Sequence, residues 1–110
     1  MSERFKIIDI GHSGFSLDRA LTELEVSISE FIFNGKTRVI KIIHGHGSGA
    51  LKISVRDWCK TQEGRFQAIV KGENYDLFDP NSANMRADCG SPYDPDLGKK
   101  NSAITYIWLW

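Results

Sequence analysis

The chain has no long apolar run: nothing in it approaches the roughly 18 residues of a membrane span, and the opening Met1–Lys6 has no apolar h-region. Membrane insertion and secretion by a signal peptide are therefore not expected. Cysteine is scarce. Cys59 and Cys89 form no CxxC pair and no framework of the secreted type, which argues for a reducing, cytoplasmic setting. Internal repeats and low-complexity tracts are missing as well. What remains is 110 residues, 41% hydrophobic and 25% charged, the composition of one ordinary globular domain with a core large enough to need no staples.

Net charge is also missing, since 14 basic side chains balance 14 acidic ones. The balance hides a pattern. Residues 1–35 carry three basic and six acidic side chains, residues 36–71 eight and two, and residues 73–98 one and six. A basic block flanked by acidic ones is compatible with a polyanion site and also with a solvated face of mixed charge. It also permits an arrangement in which the acidic segment shields the basic one.

Phe5 to Ile10 is short, rich in isoleucine and stopped by Gly11, which predicts a first strand. Ser16 is a plausible N-cap for a helix whose Leu17, Leu21, Leu24 and Ile28 recur at helical spacing as core positions, and Asn34-Gly35 supplies its left-handed stop. Val39 to Ile43 is the second strand. A second helix follows the glycine-rich turn, with Leu51, Val55, Trp58 and Cys59 on its buried stripe. Phe66 to Val70 and Ile104 to Leu109 are the remaining strands. The expected fold is an α/β single domain, β-α-β-α-β-β, with a mixed four-stranded sheet, two helices and a right-handed crossover between the first two strands. Residues 73–101 are rich in Asp, Asn, Pro and Gly without clear periodicity, and are expected as a long acidic loop, mobile or acting as a flap, with Cys89 exposed on it.

His44-Gly45-His46-Gly47-Ser48-Gly49-Ala50-Leu51 lies between a strand and a helix, where backbone amides and the helix dipole together attract an anion. The Walker A pattern is absent. Gly45-x-Gly47-x-x-Ala50 satisfies a dinucleotide fingerprint, with Glu73 near the place of the ribose carboxylate, but the chain that follows is too short for a second nucleotide-binding half. Asp9 and His44 end two parallel strands, so both are expected at the crevice on the carboxyl edge of the sheet. There Asp9, directly or through a metal-bound water, would orient a nucleophile, with His44 as donor or acid and the Gly47 and Gly49 amides holding a phosphate. Lys41, Lys52 and Arg56 would hold flanking phosphates. Other roles stay open: Asp9 as a cap for the next turn, His44 as a bridge between strand and turn, and Trp108 and Trp110 as stacking platforms or as packing.

The same glycine turn followed by Val55-Arg56-Asp57-Trp58 resembles the HGxGxGxL…VxxWL signature of the small MutS-related (Smr) domain family. The strand carrying Asp9, the Ala20-Leu21 helix, the Val39–Ile43 run and the Ala103-Ile104-Thr105 strand fall in that family's order, so the resemblance covers nearly all of residues 1–110. It implies a fold like the C-terminal domain of a bacterial translation initiation factor, DNA or RNA as partner, and in several members a nicking endonuclease activity. It also implies a catalytic place for His12 beside Asp9, although the family's Asp-Leu-His-Gly reads here Asp9-Ile10-Gly11-His12-Ser13-Gly14. Gly45, His46, Gly47, Ser48 and Gly49 would then contact nucleic acid with Lys41, Lys52 and Arg56. A divalent cation is compatible with Asp9, His12, His44 and His46 approaching one another, although no spacing fits structural zinc. The competing readings are a binding module without catalysis and a protein-interaction domain that uses the acidic loop.

Overall fold

The computed structural model describes residues 3–62 and 64–110; Met1, Ser2 and Glu63, which entered the sequence arguments above, lie outside them. The elements in chain order are β1 (Phe5–Asp9), α1 (Leu17–Asn34), β2 (Val39–Ile43), α2 (Ala50–Thr61), β3 (Ala68–Lys71), a 3₁₀ turn (Gly72–Asn74), α3 (Pro80–Asp88) and β4 (Ile104–Trp108). They build one mixed sheet in the order β1-β2-β4-β3. β1 runs parallel to β2, and β4 runs antiparallel to both of its neighbours. The α/β class and the four-stranded mixed sheet are as the sequence predicts.

The helices α1 and α2 cover one face of the sheet. Ser16 Oγ accepts from Arg19 N at 3.3 Å to start α1, and Gly35, at φ 77°, ends it. Ala20, Leu24 and Ile28 are its buried stripe, packed with Val55 and Cys59 of α2 on Ile40, Ile42, Ile107 and Leu109. Each such aliphatic side chain contributes about 1.5–3 kcal/mol through its removal from water. Leu17 departs from the expected stripe: it is 44% exposed, because the first turn of α1 overhangs the crevice instead of the sheet. The third strand also shifts, from Phe66–Val70 to Ala68–Lys71, and Phe66 instead meets Trp58 with ring centroids 6.1 Å apart.

The largest correction concerns residues 73–101 and the number of helices. Two helices are expected, and among the described residues three α-helices are present. The third, α3, begins where Asp79 caps Ser82 N at 2.9 Å with Pro80 in the first turn. The segment is not an irregular loop throughout: it carries α3 and lies on the second face of the sheet as a third layer. Tyr75, Met85 and Cys89 pack there with Phe5, Val39, Val70, Ile104, Tyr106 and Trp108. Tyr75 stacks on Tyr106 at 4.0 Å between centroids. Cys89, expected to be exposed, is buried. The ends of the segment meet so closely that a Cβ at Gly72 would fall on the Asn101 carbonyl oxygen.

Charge ties this layer down. Lys41, on the central strand β2, is buried, and its Nζ donates to Asp94 at 2.7 Å and to Asp96. Tyr106 OH donates to the other oxygen of Asp94 at 2.7 Å. Asp88 accepts from Arg38 Nε and from Trp108 Nε1, both at 2.8 Å. Lys41 is therefore not a phosphate ligand. Trp108 and Trp110 lie near Val39, at the edge opposite the glycine turn, so they do not belong to the crevice; Trp110 instead packs under the Arg38 guanidinium.

Candidate nucleic-acid interface

The carboxyl ends of β1 and β2 lie side by side, as the parallel register Asp9↔Ile43 requires. Ile10 N and Gly11 N both donate to the Ile43 carbonyl at 3.0 Å, which draws the two following turns together. Gly11 has no alternative here, since a Cβ would sit 2.8 Å from the His44 carbonyl carbon. The two turns and the start of α2 enclose a cleft of about 320 Å³, lined by Gly11, His12 and the run from His44 to Leu51.

On one side of the cleft Asp9 and His12 form a pair. His12 Nδ1 lies 2.9 Å from Asp9 Oδ2, while Asp9 Oδ1 accepts from the Gly11 and His12 amides at 3.1 and 3.3 Å. Asp9 thus caps the turn and orients the imidazole at once. A carboxylate at Nδ1 selects the tautomer with the proton on that nitrogen and leaves Nε2 as an acceptor. The residues separating Asp9 from His12 form a tight turn that returns the ring to the carboxylate. His12 is 79% exposed on its side chain, within reach of a ligand.

On the other side is the glycine turn. Gly47 and Gly49 take φ of 40° and 86°, which glycine adopts without a Cβ penalty. The Gly49 amide, expected to hold a phosphate, donates instead to the His46 carbonyl at 2.8 Å, and Gly45 N donates to Ala103 O. Among the described residues the amides of Gly47, Ser48 and Leu51 have no protein acceptor. These open donors sit at the positive end of α2, whose first turn holds no acidic residue. His46 is exposed at the rim, its Nδ1 3.5 Å from Ser102 Oγ.

His44 faces inward. Arg56 Nε donates to Thr105 Oγ1 at 3.0 Å, the Thr105 hydroxyl donates to His44 Nε2 at 2.9 Å, and His44 Nδ1 donates to the Gly45 carbonyl at 3.1 Å. With every donor pointing along one chain, both ring nitrogens are engaged. In this arrangement His44 fixes the turn and has no free nitrogen for a substrate. Arg56 is similarly committed: its guanidinium forks onto Glu73 at 3.0 and 2.7 Å. Glu73 is therefore an arginine partner and not a ribose ligand. Because His44 is turned inward, the expected convergence of Asp9, His12, His44 and His46 on one cation does not fit, and among the described residues no three His, Cys, Asp or Glu form a metal-binding group.

The acidic segment shields the basic block only in part. Its six acids are all used internally: Glu73 on Arg56, Asp88 on Arg38, Asp94 and Asp96 on Lys41, and Asp76 and Asp79 as acceptors for the amides of Phe78, Asp79 and Ser82. Lys52 and Lys71 make no close ion pair among the described residues, although Lys52 lies near enough to Glu73 to help hold its pKa down. Lys71 was visible in the sequence as part of the basic block, but nothing there distinguished it from the paired lysines.

These pairings make stability depend on pH in two steps. Burial, with Arg56 and Lys52 nearby, outweighs the Gly45 hydrogen bond and holds the His44 pKa below its usual value. A histidine shifted down contributes stability at neutral pH that is lost as the pH falls below about 6.5. For Asp88 and Asp96 burial works to raise the pKa but is outweighed, by Trp108 and Arg38 for Asp88 and by Lys41 and Asn101 for Asp96; hydrogen bonding to Arg56 lowers Glu73. Their stabilisation is full above about pH 4 and is lost as the pH falls through their depressed values. Urea midpoints measured from pH 8 to 3 are expected to drop gently from about pH 6.5 and steeply below about pH 4; a flat profile to pH 4 would remove the His44 contribution.

The comparisons with known proteins agree with this geometry. The family profile described as Smr domain matches residues 12–75, more than half of the chain. The crystal structure of the Smr domain of Thermus thermophilus MutS2 superposes with a TM-score of 0.62 at 19% identity, covering 96% of this chain and 98% of that one. A search of curated proteins finds no match. Among the described residues no helix is long and apolar enough to cross a membrane. With the profile covering His12 and the glycine turn and the superposition spanning the sheet, the chain belongs to the Smr domain family, a family of nucleic-acid-binding and nicking-endonuclease-type domains.

Proposed function

We propose that this domain binds DNA or RNA by seating a backbone phosphate on the open amides of the glycine turn, and that it hydrolyses the adjacent phosphodiester bond with the Asp9–His12 pair. One observation carries the reading: unpaired donors at a helix N-terminus and an imidazole oriented by a carboxylate line opposite sides of the same cleft. His12 Nε2 would take a proton from water or from a ribose hydroxyl, while the Gly47 and Ser48 amides stabilise charge on a non-bridging oxygen. Asp9 orients His12 and favours the imidazolium that forms. His44, with Thr105 and Arg56, keeps the amides aimed. Lys52, one turn into α2, holds a flanking phosphate.

Binding is tested by titrating labelled oligonucleotides at several salt concentrations. The slope of log K against log salt should show release of several counterions, and Lys52→Ala should reduce it by about one. Gly47→Val introduces a side chain that disfavours φ 40° in front of the open amides, and should weaken binding at least tenfold on the scale of one lost charge-assisted hydrogen bond. Undiminished affinity in a folded Gly47→Val protein would remove the cradle.

A further inference from the structure

Beyond the cleft, the α2–β3 side of the sheet holds a second depression that the proposed function leaves unused. Ile69 and Lys71 of the outer strand β3 project toward α2, since their register partners on β4, Ile107 and Thr105, lie on the helix-covered face. Between the two elements is a pit of about 180 Å³ lined by Arg56, Cys59, Lys60, Ile69 and Lys71. Its floor is apolar. Cys59 is 4% exposed, and burial pushes its thiol up to about 12, so it carries no charge at neutral pH.

The rim, in contrast, is cationic. Among the described residues Lys71 makes no close ion pair, and the one ion pair of Lys60 is with Asp57, at 3.8 Å with both groups exposed, a pairing worth little. Arg56 cannot swing in to fill the pit, because Glu73, Thr105 and the Ile104 carbonyl hold its guanidinium. An occupant must therefore join an apolar body to negative charge on more than one side.

Position supplies the rest. Lys52, Arg56 and Lys60 recur every fourth residue of α2, so they share one side of the helix. Cys59 lies nine residues beyond Ala50, about 14 Å along the axis. Stacked nucleotides at about 3.4 Å each cover that distance in about four steps. A strand with one phosphate on the glycine turn thus reaches the pit with its backbone beside Lys52 and Lys60.

We propose that the pit receives an unpaired base of a bound polynucleotide, with Lys60 and Lys71 holding the phosphates on either side, so that the preferred substrate is single-stranded or contains a bulged nucleotide. The inference rests on the phosphate-binding reading of the cleft. A base inside a duplex reaches such a pit only by being flipped out, which costs a few kcal/mol; an unpaired base enters without that cost.

The test measures affinity of the full chain for an eight-nucleotide thymidine oligomer and for an abasic oligomer of the same length and charge. The oligomer with bases should bind roughly tenfold tighter. Ile69→Gln, which places a polar group across the pit, should erase that difference while leaving the abasic oligomer bound as before. Lys60→Ala/Lys71→Ala, at exposed positions with no role in the core, should weaken the eight-nucleotide ligand several-fold and leave a three-nucleotide ligand unaffected; this arm stands even if the Ile69 variant does not fold. Equal affinity for the two oligomers, with binding still dependent on Gly47, overturns the pit and spares the cleft. If neither oligomer binds, both fall. Phosphatidylserine vesicles that bind the wild type but not Ile69→Gln would assign the pit to an acyl chain and overturn the proposal.

Discussion

Lys41→Ala is expected to lower folding stability by about 3–5 kcal/mol, the range for removing one partner of a buried ion pair. Asp94 has a fully buried side chain and Asp96 one that is 22% exposed, and the substitution would leave both without their ammonium. Such a loss is a large part of the roughly 5–15 kcal/mol available to a domain. Urea denaturation at pH 7 should show a lower midpoint, and part of the loss should be recovered at pH values where the orphaned carboxylates protonate. A loss below about 1 kcal/mol would mean that Lys41 is not held as described. In whatever fraction stays folded, affinity for nucleic acid should not change. That result separates the buried lysine from Lys52, which the basic block presents as its equal.

In a supercoiled-plasmid and structured-RNA cleavage assay, His12→Ala should reduce cutting by about 10²–10⁴-fold, the span of general acid–base catalysis, with little change in binding. Asp9→Asn should also lose most of the activity: the amide still caps the turn but neither favours the imidazolium nor selects the same tautomer. Thr105→Val should act differently. It frees His44 Nε2 and breaks the link to Arg56, so it should weaken phosphate binding without removing the proton-transfer group. Wild-type binding without any product, with and without divalent cation, would make the domain a binding module. Product formation undiminished in His12→Ala would move the chemistry elsewhere.

The glycine turn, the first two strands and the two longer helices were legible because each rests on local rules: Ser16 as a cap, Gly35 as a stop, and apolar residues at helical spacing. Of the two amides expected to be open, that of Gly47 is, while that of Gly49 closes the turn on His46. What the sequence could not display is which charges meet. Lys41, Lys52 and Arg56 read alike in a basic block, yet Lys41 is buried on Asp94 and Asp96, Arg56 forks onto Glu73, and Lys52 makes no close ion pair among the described residues. The helix α3 escaped because its inward side is only Ser82 and Met85, too little apolar pattern to register. Its start was nevertheless written in Asp79-Pro80, an N-cap followed by the proline that a first turn accepts. His12 shows the opposite case, where a departure in motif spacing still ends in contact with Asp9 because the turn is tight enough to bring the ring back.

The strand order has a consequence for assembly. β4 follows β2 and β3 in chain order, yet it sits between them and, among the described residues, supplies the ladder that joins them. Until it docks, β2 keeps one bare hydrogen-bonding edge beside the run Val39-Ile40-Lys41-Ile42-Ile43, and the Lys41 ammonium lacks partners that lie 53 and 55 residues further on. Closure is therefore a late event governed by contacts distant along the chain, which makes it slow. The half-built sheet is meanwhile the species most exposed to pairing with another copy, and a single charged residue in the middle of its stickiest strand discourages that pairing.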